Sequence, residues 1–171
     1  MHVTLRLREG LPSLRASREL RVLHGCFASA STDEFRLCEF SVQRNHLHLI
    51  VETSGTSALS SAMQSLAVRI AKRLNRLWNR RGSAFSDRYH ARILETPREV
   101  RNALVYVLQN AKHHGVHAGD VDPCSSGPWF TGWLDQTPLE EPGPLAQART
   151  WLLRVGWRRI WGGLSIFCAP A

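Results

Sequence analysis

Asn45-His46-Leu47-His48-Leu49-Ile50-Val51-Glu52 is the stretch whose reading decides the fold. It alternates with the two-residue period of a β-strand. His46, His48 and Ile50 fall on one face, and Leu47, Leu49 and Val51 on the other. A strand rises about 3.3 Å per residue, so the two imidazoles start about 6.6 Å apart and point the same way. That spacing lets both reach one divalent metal ion. The bland alternative is a hairpin carrying two partly exposed histidines.

The neighbouring segments give this strand its context. Residues 34–42 lean to β, and Gln43-Arg44-Asn45 reads as a turn into the histidine strand, which makes a hairpin. Residues 2–8 alternate and predict a first strand, punctuated by Gly10 and Pro12. Ser13 is placed to cap a helix over 14–30 that buries Leu14, Leu20, Leu23 and Phe27. A loop at 53–57 leads into a helix over 57–80, whose apolar stripe is Met63, Leu66, Ile70, Leu74 and Leu77 and which Gly82 ends. Residues 90–95 form a short strand candidate. Pro97 opens a last helix of this block, 97–113, ending before Gly115. This order predicts an α+β fold, a ferredoxin-like antiparallel sheet with helices packed on it. Residues 117–144 read as an irregular connection and 145–160 as a final helix. The expected organisation is therefore a domain over 1–116 and a loop-rich, helical C-terminal extension over 117–171.

The charge is lopsided, with 22 Lys+Arg against 14 Asp+Glu and a net +8. Lys72 and Lys112 are the sole lysines, and Arg forks match phosphate better than ammonium does. A polyanion, nucleic acid first, is the expected partner. Basic residues dominate 69–101, and Arg69, Lys72, Arg73, Arg76, Arg80, Arg81, Arg88 and Arg92 are candidate contacts to a DNA backbone. The competing reading is a solvated helix face. Trp78 and Phe85 interleave with them, either as base-stacking or as core residues. The cysteines Cys26, Cys38, Cys124 and Cys168 form no CxxC pair, which argues against a zinc ribbon or a disulfide framework and fits a reducing cytoplasm. No apolar run is long enough to span a membrane, and charges throughout 1–25 predict no signal peptide.

The helix at 97–113 carries the second half of the chemistry. On a helical wheel Val100, Leu104, Val107, Leu108 and Ala111 cluster and should face the sheet, with Asn102, Tyr106, Asn110 and His113 on the opposite side. Tyr106 and Asn110 are one turn apart. A phenol beside a carboxamide, on a helix near two histidines, reads as a nucleophile plus a third metal ligand. Neutral imidazoles hold an ion without cancelling its charge, and an amide oxygen adds a hard neutral donor. Such a set favours Mn²⁺ or a tolerant Mg²⁺ site. The ion polarises a phosphate, tyrosine attacks in line, and the phosphotyrosine diester keeps the energy of the broken bond.

Tyr89 is the competing nucleophile, but it lacks an amide four residues on and reads as a packing or DNA-stacking residue. His113, His114 and His117 suit a helix C-terminus rather than a second metal site, and His90 reads as a structural or DNA-facing edge residue. Trp129, Phe130, Trp133, Trp151 and Trp157 should fold back and be buried; the alternative is a recognition surface with Arg149, Arg154, Arg158 and Arg159.

The chain resembles the single-tyrosine HUH transposases, which include small insertion-sequence transposases and REP-associated tyrosine transposases. The matching stretches are the Asn45 to Glu52 run, Gly82-Ser83-Ala84-Phe85-Ser86-Asp87-Arg88-Tyr89, and Tyr106-Val107-Leu108-Gln109-Asn110. The similarity covers about residues 2–116. It implies His46, His48 and Asn110 as ligands of Mg²⁺ or Mn²⁺ and Tyr106 as the nucleophile. Many members carry Gln where Asn110 stands. The resemblance also implies cleavage and strand transfer of single-stranded or hairpin DNA through a 5′-phosphotyrosine, in a bacterial cytoplasm and nucleoid. It leaves homodimer formation open. The alternative is a non-catalytic, transposase-derived domain that binds structured nucleic acid. A replication initiator or relaxase of the same superfamily needs a longer chain.

Overall fold

The computed structural model describes residues 1–113, without the side chain of His113, and residues 121–167. The domain boundary expected at 116/117, His114, His117 and Cys168 lie outside the described residues. The elements run β1 (His2–Arg6), α1 (Ser17–Phe27), β2 (Phe35–Val42), β3 (His46–Thr53), α2 (Thr56–Leu77), β4 (His90–Arg92), α3 (Pro97–His113) and the single-turn α4 (Trp151–Arg154). The sheet order is β2-β3-β1-β4 with every pair antiparallel. β3 thus lies between β1 and β2, the split β-α-β arrangement of a ferredoxin-like fold. The expected α+β architecture is the one observed.

Strand alternation divides the side chains between two layers. Val3, Leu5, Leu47, Leu49 and Val51 are buried on one face under Leu23 and Phe27 of α1 and Met63, Leu66, Ile70 and Leu74 of α2. Each such side chain contributes about 1.5–3 kcal/mol when fully buried. β2 keeps Leu37 and Phe40 in this same layer, although an odd spacing should send them to opposite faces. A β-bulge resolves this: Leu37 pairs with Val51 and Glu39 with Ile50, so Cys38 is the extra residue. Of residues 121–167, Cys124, Trp129 and Leu145 reach the α1–α2 layer. The other face is covered by α3 and another part of that segment. There Ile50 packs with Val100, Ala103, Leu104, Val107 and Leu108, and with Phe130, Trp157 and Leu164 from the C-terminal segment.

The C-terminal segment is tied down by polar anchors. It shields the outer edge of β2 through Val42 N–H to Cys124 O (2.8 Å) and Ser126 N–H to Phe40 O (2.9 Å). Asp122 accepts two hydrogen bonds from Arg15, at 2.9 and 2.7 Å. Glu52, at the end of β3, accepts from Arg149 N (2.7 Å), Thr150 N (2.9 Å) and Thr150 Oγ1 (2.6 Å), and so fixes the start of α4.

Four expectations of extent are corrected. The helix expected at 14–30 is shorter, because Ser13 makes a turn with Arg15 N–H (3.3 Å) and Ala16 is extended at ψ 146°. The helix expected to reach residue 80 ends at Leu77, where Asn79 takes a left-handed φ of 49°. The strand expected over 90–95 ends at Arg92. The final helix expected over 145–160 is reduced to α4 and a 3₁₀ turn at Gly156–Arg158. The ring of Trp151 folds onto Gly156, leaving no room for a Cβ there. The aromatic segment folds back as expected for Phe130 and Trp157, both buried, whereas Trp151 is exposed. Among the described residues no helix is long and apolar enough to cross a membrane.

Candidate active site

The register places a polar patch on the α3-covered face. His48 pairs with Thr4 of β1 and Ser41 of β2; His46 pairs with Arg6; His2 pairs with Ile50 and, across β4, with Arg92. Paired residues share a face, so His2, Thr4 and Arg6 stand beside His46 and His48. The rings of His46 and His48 are 4.7 Å apart and nearly perpendicular.

Hydrogen bonding selects the tautomer of His46 and places two two-way partners on His48. Asn45 Oδ1 lies 3.0 Å from His46 Nδ1, so that nitrogen carries the proton and donates it. His48 Nδ1 lies 3.2 Å from both His2 Nε2 and Thr4 Oγ1, so a proton there is donated to one or the other. His46 Nε2 is then the lone-pair nitrogen, and so is His48 Nε2 when the His48 proton sits on Nδ1; Thr4 Oγ1 and His2 Nε2 can each accept that proton or donate one. His48 Nε2 is buried and has no hydrogen-bond partner among the described residues. Its pKa falls from 6.5 to about 3, chiefly through burial, helped by His46 and His2. His2 falls to about 4 through burial, the N-terminal charge and Arg92. Both rings are therefore neutral at pH 7, which is the form a metal requires.

α3 brings the remaining groups to this patch. Its start is set by a capping box: Thr96 Oγ1 accepts from Glu99 N–H (3.2 Å) and Glu99 Oε2 accepts from Thr96 N–H (3.1 Å), with Pro97 at the first helical position. The Tyr106 ring lies 5.0 Å from His48 and 5.8 Å from His2, edge-on to both. Asn110, one turn on, is only 3% exposed, and its Oδ1 is buried without a hydrogen-bond partner among the described residues. This corrects the helical wheel, which put Tyr106 and Asn110 opposite the sheet. Asn110 is three residues from Val107, hence about 60° from it around the axis, on the flank of the apolar stripe. Asn102, from the same set, faces solvent.

Asn110 Oδ1, and His48 Nε2 with its proton on Nδ1, are buried acceptors without partners among the described residues, and such groups fit a divalent ion better than a dry core. His46 offers a second nitrogen. Among the described residues no cluster of three or more His, Cys, Asp or Glu is arranged to hold a metal. A site here therefore depends on the amide as its third donor.

The predicted basic residues divide between the two layers. α2 packs on the face away from the histidines, so Arg69, Lys72, Arg73 and Arg76 ride behind the sheet. Arg69 donates to Ser29 O (2.6 Å) and is tied to the turn that follows α1. Arg80 donates to Asn75 Oδ1 (2.9 Å) and Ser83 O (3.2 Å) and shapes the loop holding exposed Arg81 and Arg88. That loop reaches the end of β1, where Phe85 bridges to Leu7 and Ser86 N–H bonds Arg6 O (3.0 Å). Arg92 is exposed on the histidine face and pairs with Glu99 at 3.1 Å. Sequence reasoning missed His2, Thr4 and Arg6; the alternation of His2-Val3-Thr4-Leu5-Arg6 was the available signal. Tyr89 and Phe85 pack against the α1–α2 core, and Trp78 donates to Glu19 Oε1 at 2.8 Å.

The family model for IS200-like transposases matches residues 1–110, a span that ends on Asn110 and contains both histidines and Tyr106. The chain belongs to the IS200-like transposase family. Among solved structures, that of a REP-associated tyrosine transposase bound to a REP hairpin superposes with a TM-score of 0.58. The match is 19% identical and covers 73% of this chain and 74% of that one. At that identity the likeness establishes the fold of the transposase. No curated protein matches the chain.

Proposed function

We propose that this transposase cuts and rejoins single-stranded DNA, with Tyr106 as nucleophile and His46, His48 and Asn110 as ligands of Mn²⁺ or Mg²⁺. The observation that carries the reading is the Tyr106 ring 5.0 Å from His48, whose Nε2 is buried without a partner among the described residues, with Asn110, whose Oδ1 is likewise unpartnered, one helical turn from Tyr106. A bound divalent ion supplies charge neutralisation and polarises the scissile phosphate. The protein does the rest. The rings of His2 and His48 restrict the Tyr106 side chain, so its hydroxyl is presented from a fixed direction. Tyr106 Oη bonds to phosphorus and gives up its proton; the P–O3′ bond breaks and the leaving oxygen takes a proton to become a free 3′-hydroxyl. A 3′-hydroxyl of another strand reverses the step and expels Tyr106, which is strand transfer. Tyr106 and its histidines come from one chain, so this reading does not need a second copy.

The DNA track in this reading runs along the histidine side of the sheet over Arg6, Arg88 and Arg92, with Arg80 and Arg81 at the same end. The α2 residues Arg69, Lys72, Arg73 and Arg76 would meet only a strand that wraps behind the sheet. The structural neighbour described above was solved bound to a REP hairpin, and hairpin-bearing single strands are accordingly the substrate to offer. With Mn²⁺ the wild-type protein should form a detergent-resistant protein–DNA adduct that Tyr106→Phe does not form. An adduct that persists in Tyr106→Phe would remove Tyr106 from the mechanism. DNA binding without any adduct in the wild type would favour a non-catalytic, transposase-derived binding domain.

A further inference from the structure

A basic surface lies apart from the histidine patch and from the track over Arg88 and Arg92. No Asp or Glu follows Glu141 in the chain, whereas Arg149, Arg154, Arg158 and Arg159 do. Arg159 enters a turn that Gly162 N–H closes on Arg158 O (2.8 Å), with Gly162 in the left-handed region at φ 68°. This turn lies against the first half of α3, where Arg101 donates to its carbonyls at Gly162 (2.9 Å) and Gly163 (3.1 Å). The guanidiniums of Arg98 and Arg101 stand 5.8 and 5.9 Å from the centroid of the Trp161 ring.

The positive charge gathered here is not compensated. Arg98 and Arg101 are three residues apart, hence neighbours on the helix surface, where like charges repel. Glu99 between them is taken by Arg92 and by the N–H groups of Glu95 and Thr96. Among the described residues none of Arg98, Arg101 and Arg159 forms an ion pair. Arg98 and Arg159 are exposed, and Trp161 and Ile160 are 40% and 68% exposed. The cation–π contact restricts Arg98 without neutralising it, so its N–H groups stay free for an anion.

These features select the occupant. A second copy of the chain would bring the same unpaired guanidiniums against this surface and be repelled. Trp161 is overlaid by cations, so the surface presents charge where an unpaired base would need a bare ring. A duplex turns its bases inward and offers phosphates and sugars. We infer that the stem of a hairpin DNA docks its backbone on Arg98, Arg101 and Arg159, with Ile160 against the sugars. The inference rests on the proposed hairpin-bearing substrate. Arg98 precedes Tyr106 by eight residues, about 12 Å along α3 and about 80° around it, with exposed Asn102 between them. At the duplex rise of about 3.4 Å per nucleotide of one strand, that is about three to four nucleotides. One hairpin can therefore rest its stem here while its unpaired flank reaches Tyr106. Arg159, Ile160 and Trp161 lie beyond the family match, so this surface belongs to the C-terminal segment as much as to α3.

The test uses the full chain carrying Tyr106→Phe, which leaves DNA uncut, with a hairpin bearing an unpaired flank and with the flank alone. Arg98→Gln/Arg159→Gln alters two exposed side chains and should leave the fold intact. It removes two phosphate contacts, so the log–log salt dependence of hairpin binding should become shallower by about 1.8. Between 50 and 200 mM salt the parent should then lose about twelvefold more hairpin affinity than the double variant. Affinity for the flank alone should be the same in both. An unchanged hairpin slope in the folded double variant overturns the inference. An equal loss on the flank alone overturns it too, because the surface would then hold single strand. Binding to vesicles of anionic phospholipid that the double variant loses, with hairpin binding unchanged, would assign the surface to a membrane. A dimer that the double variant loses in sedimentation, again with hairpin binding unchanged, would assign it to a second copy; either result overturns the inference. Adduct formation with Tyr106 intact is scored on the same hairpin. An adduct with no change of slope rejects the surface alone; a shallower slope in a protein that never forms an adduct rejects the proposed catalysis alone.

Discussion

Protonating the histidine patch should unfold the metal-free protein well above the pH at which carboxylates usually do so. His48 and His2 have folded-state pKa values of about 3 and about 4 against 6.5 for a free imidazole. Between those values and 6.5 the unfolded chain binds protons that the folded chain excludes. The stability is therefore fully present above pH 6.5 and is lost as the pH falls toward 4. A pKa moved from 6.5 to about 3 corresponds to about 5 kcal/mol, and one moved to about 4 to about 3 kcal/mol. The rings are in contact, their Nε2 and Nδ1 3.2 Å apart, so the pair titrates jointly and the sum of about 8 kcal/mol is a ceiling. Even half of it is a large share of a domain stability of about 5–15 kcal/mol. The assay is urea unfolding followed by tryptophan fluorescence, with EDTA, at half-unit steps from pH 7 to 4.5. The slope should approach about 2.7 kcal/mol per pH unit, the value for two excluded protons. His2→Gln/His48→Gln should flatten it, while every other group contributes equally to both proteins. Equal slopes for the two proteins between pH 6.5 and 5 would refute the reasoning, because neither ring would then be excluding a proton.

Two further outcomes follow from the geometry. Thr4→Val or His2→Ala removes an acceptor for the His48 Nδ1 proton, so Mn²⁺ should bind about 10- to 100-fold more weakly by calorimetry, with the fold and Tyr106 intact; unchanged affinity in both would show that His48 needs neither partner. Arg15→Ala strips the partner from Asp122, which is 4% exposed, and should cost about 3–5 kcal/mol, read as a fall of about 10 °C in thermal midpoint; a loss under about 1 kcal/mol would mean that residues 121–130 are held by other contacts.

The part of the fold legible in the sequence is the part governed by period. Alternation at 46–51 and 2–6 assigned the central strands and their two faces, and the stripe from Met63 to Leu74 assigned α2. The histidines followed directly, because a strand leaves no choice about which residues share a face. The parts that went unread are governed by contacts. Nothing local in 34–42 announces the bulge at Cys38, which arises because Leu37 and Phe40 must both reach one core. Residues 145–160 have the composition of a helix, but Glu52 and the Trp151–Gly156 contact cut it to one turn. The same gap hid His2 and Thr4: their alternation was visible, but only the β1–β3 register places them on His48. The gathering of His46, His48 and Tyr106 was thus legible, and that of their neighbours was not. The groups proposed to react were named from spacing and the family resemblance, and the groups that contact them required the sheet.

The C-terminal segment explains why α3 can hold Tyr106 and Asn110 in position within one chain. A helix that touches a sheet only through Val100, Leu104, Val107 and Leu108 can roll about its axis, and a roll of one residue, about 100°, would carry Tyr106 off His48. Polar contacts from the far side oppose this. Gln109 Nε2 donates to Ser165 O (3.0 Å), and Arg101 donates to Gly162 O (2.9 Å) and Gly163 O (3.1 Å). Trp157 and Leu164 pack on the same helix. The segment making these contacts is itself fixed to β3 by Glu52, on the strand that carries both histidines. Sheet, α3 and C-terminal segment therefore close a ring of contacts in which the orientation of Tyr106 is referred back to His46 and His48. That gives residues beyond the family match, which ends at residue 110, a direct hold on the geometry of the site inside it.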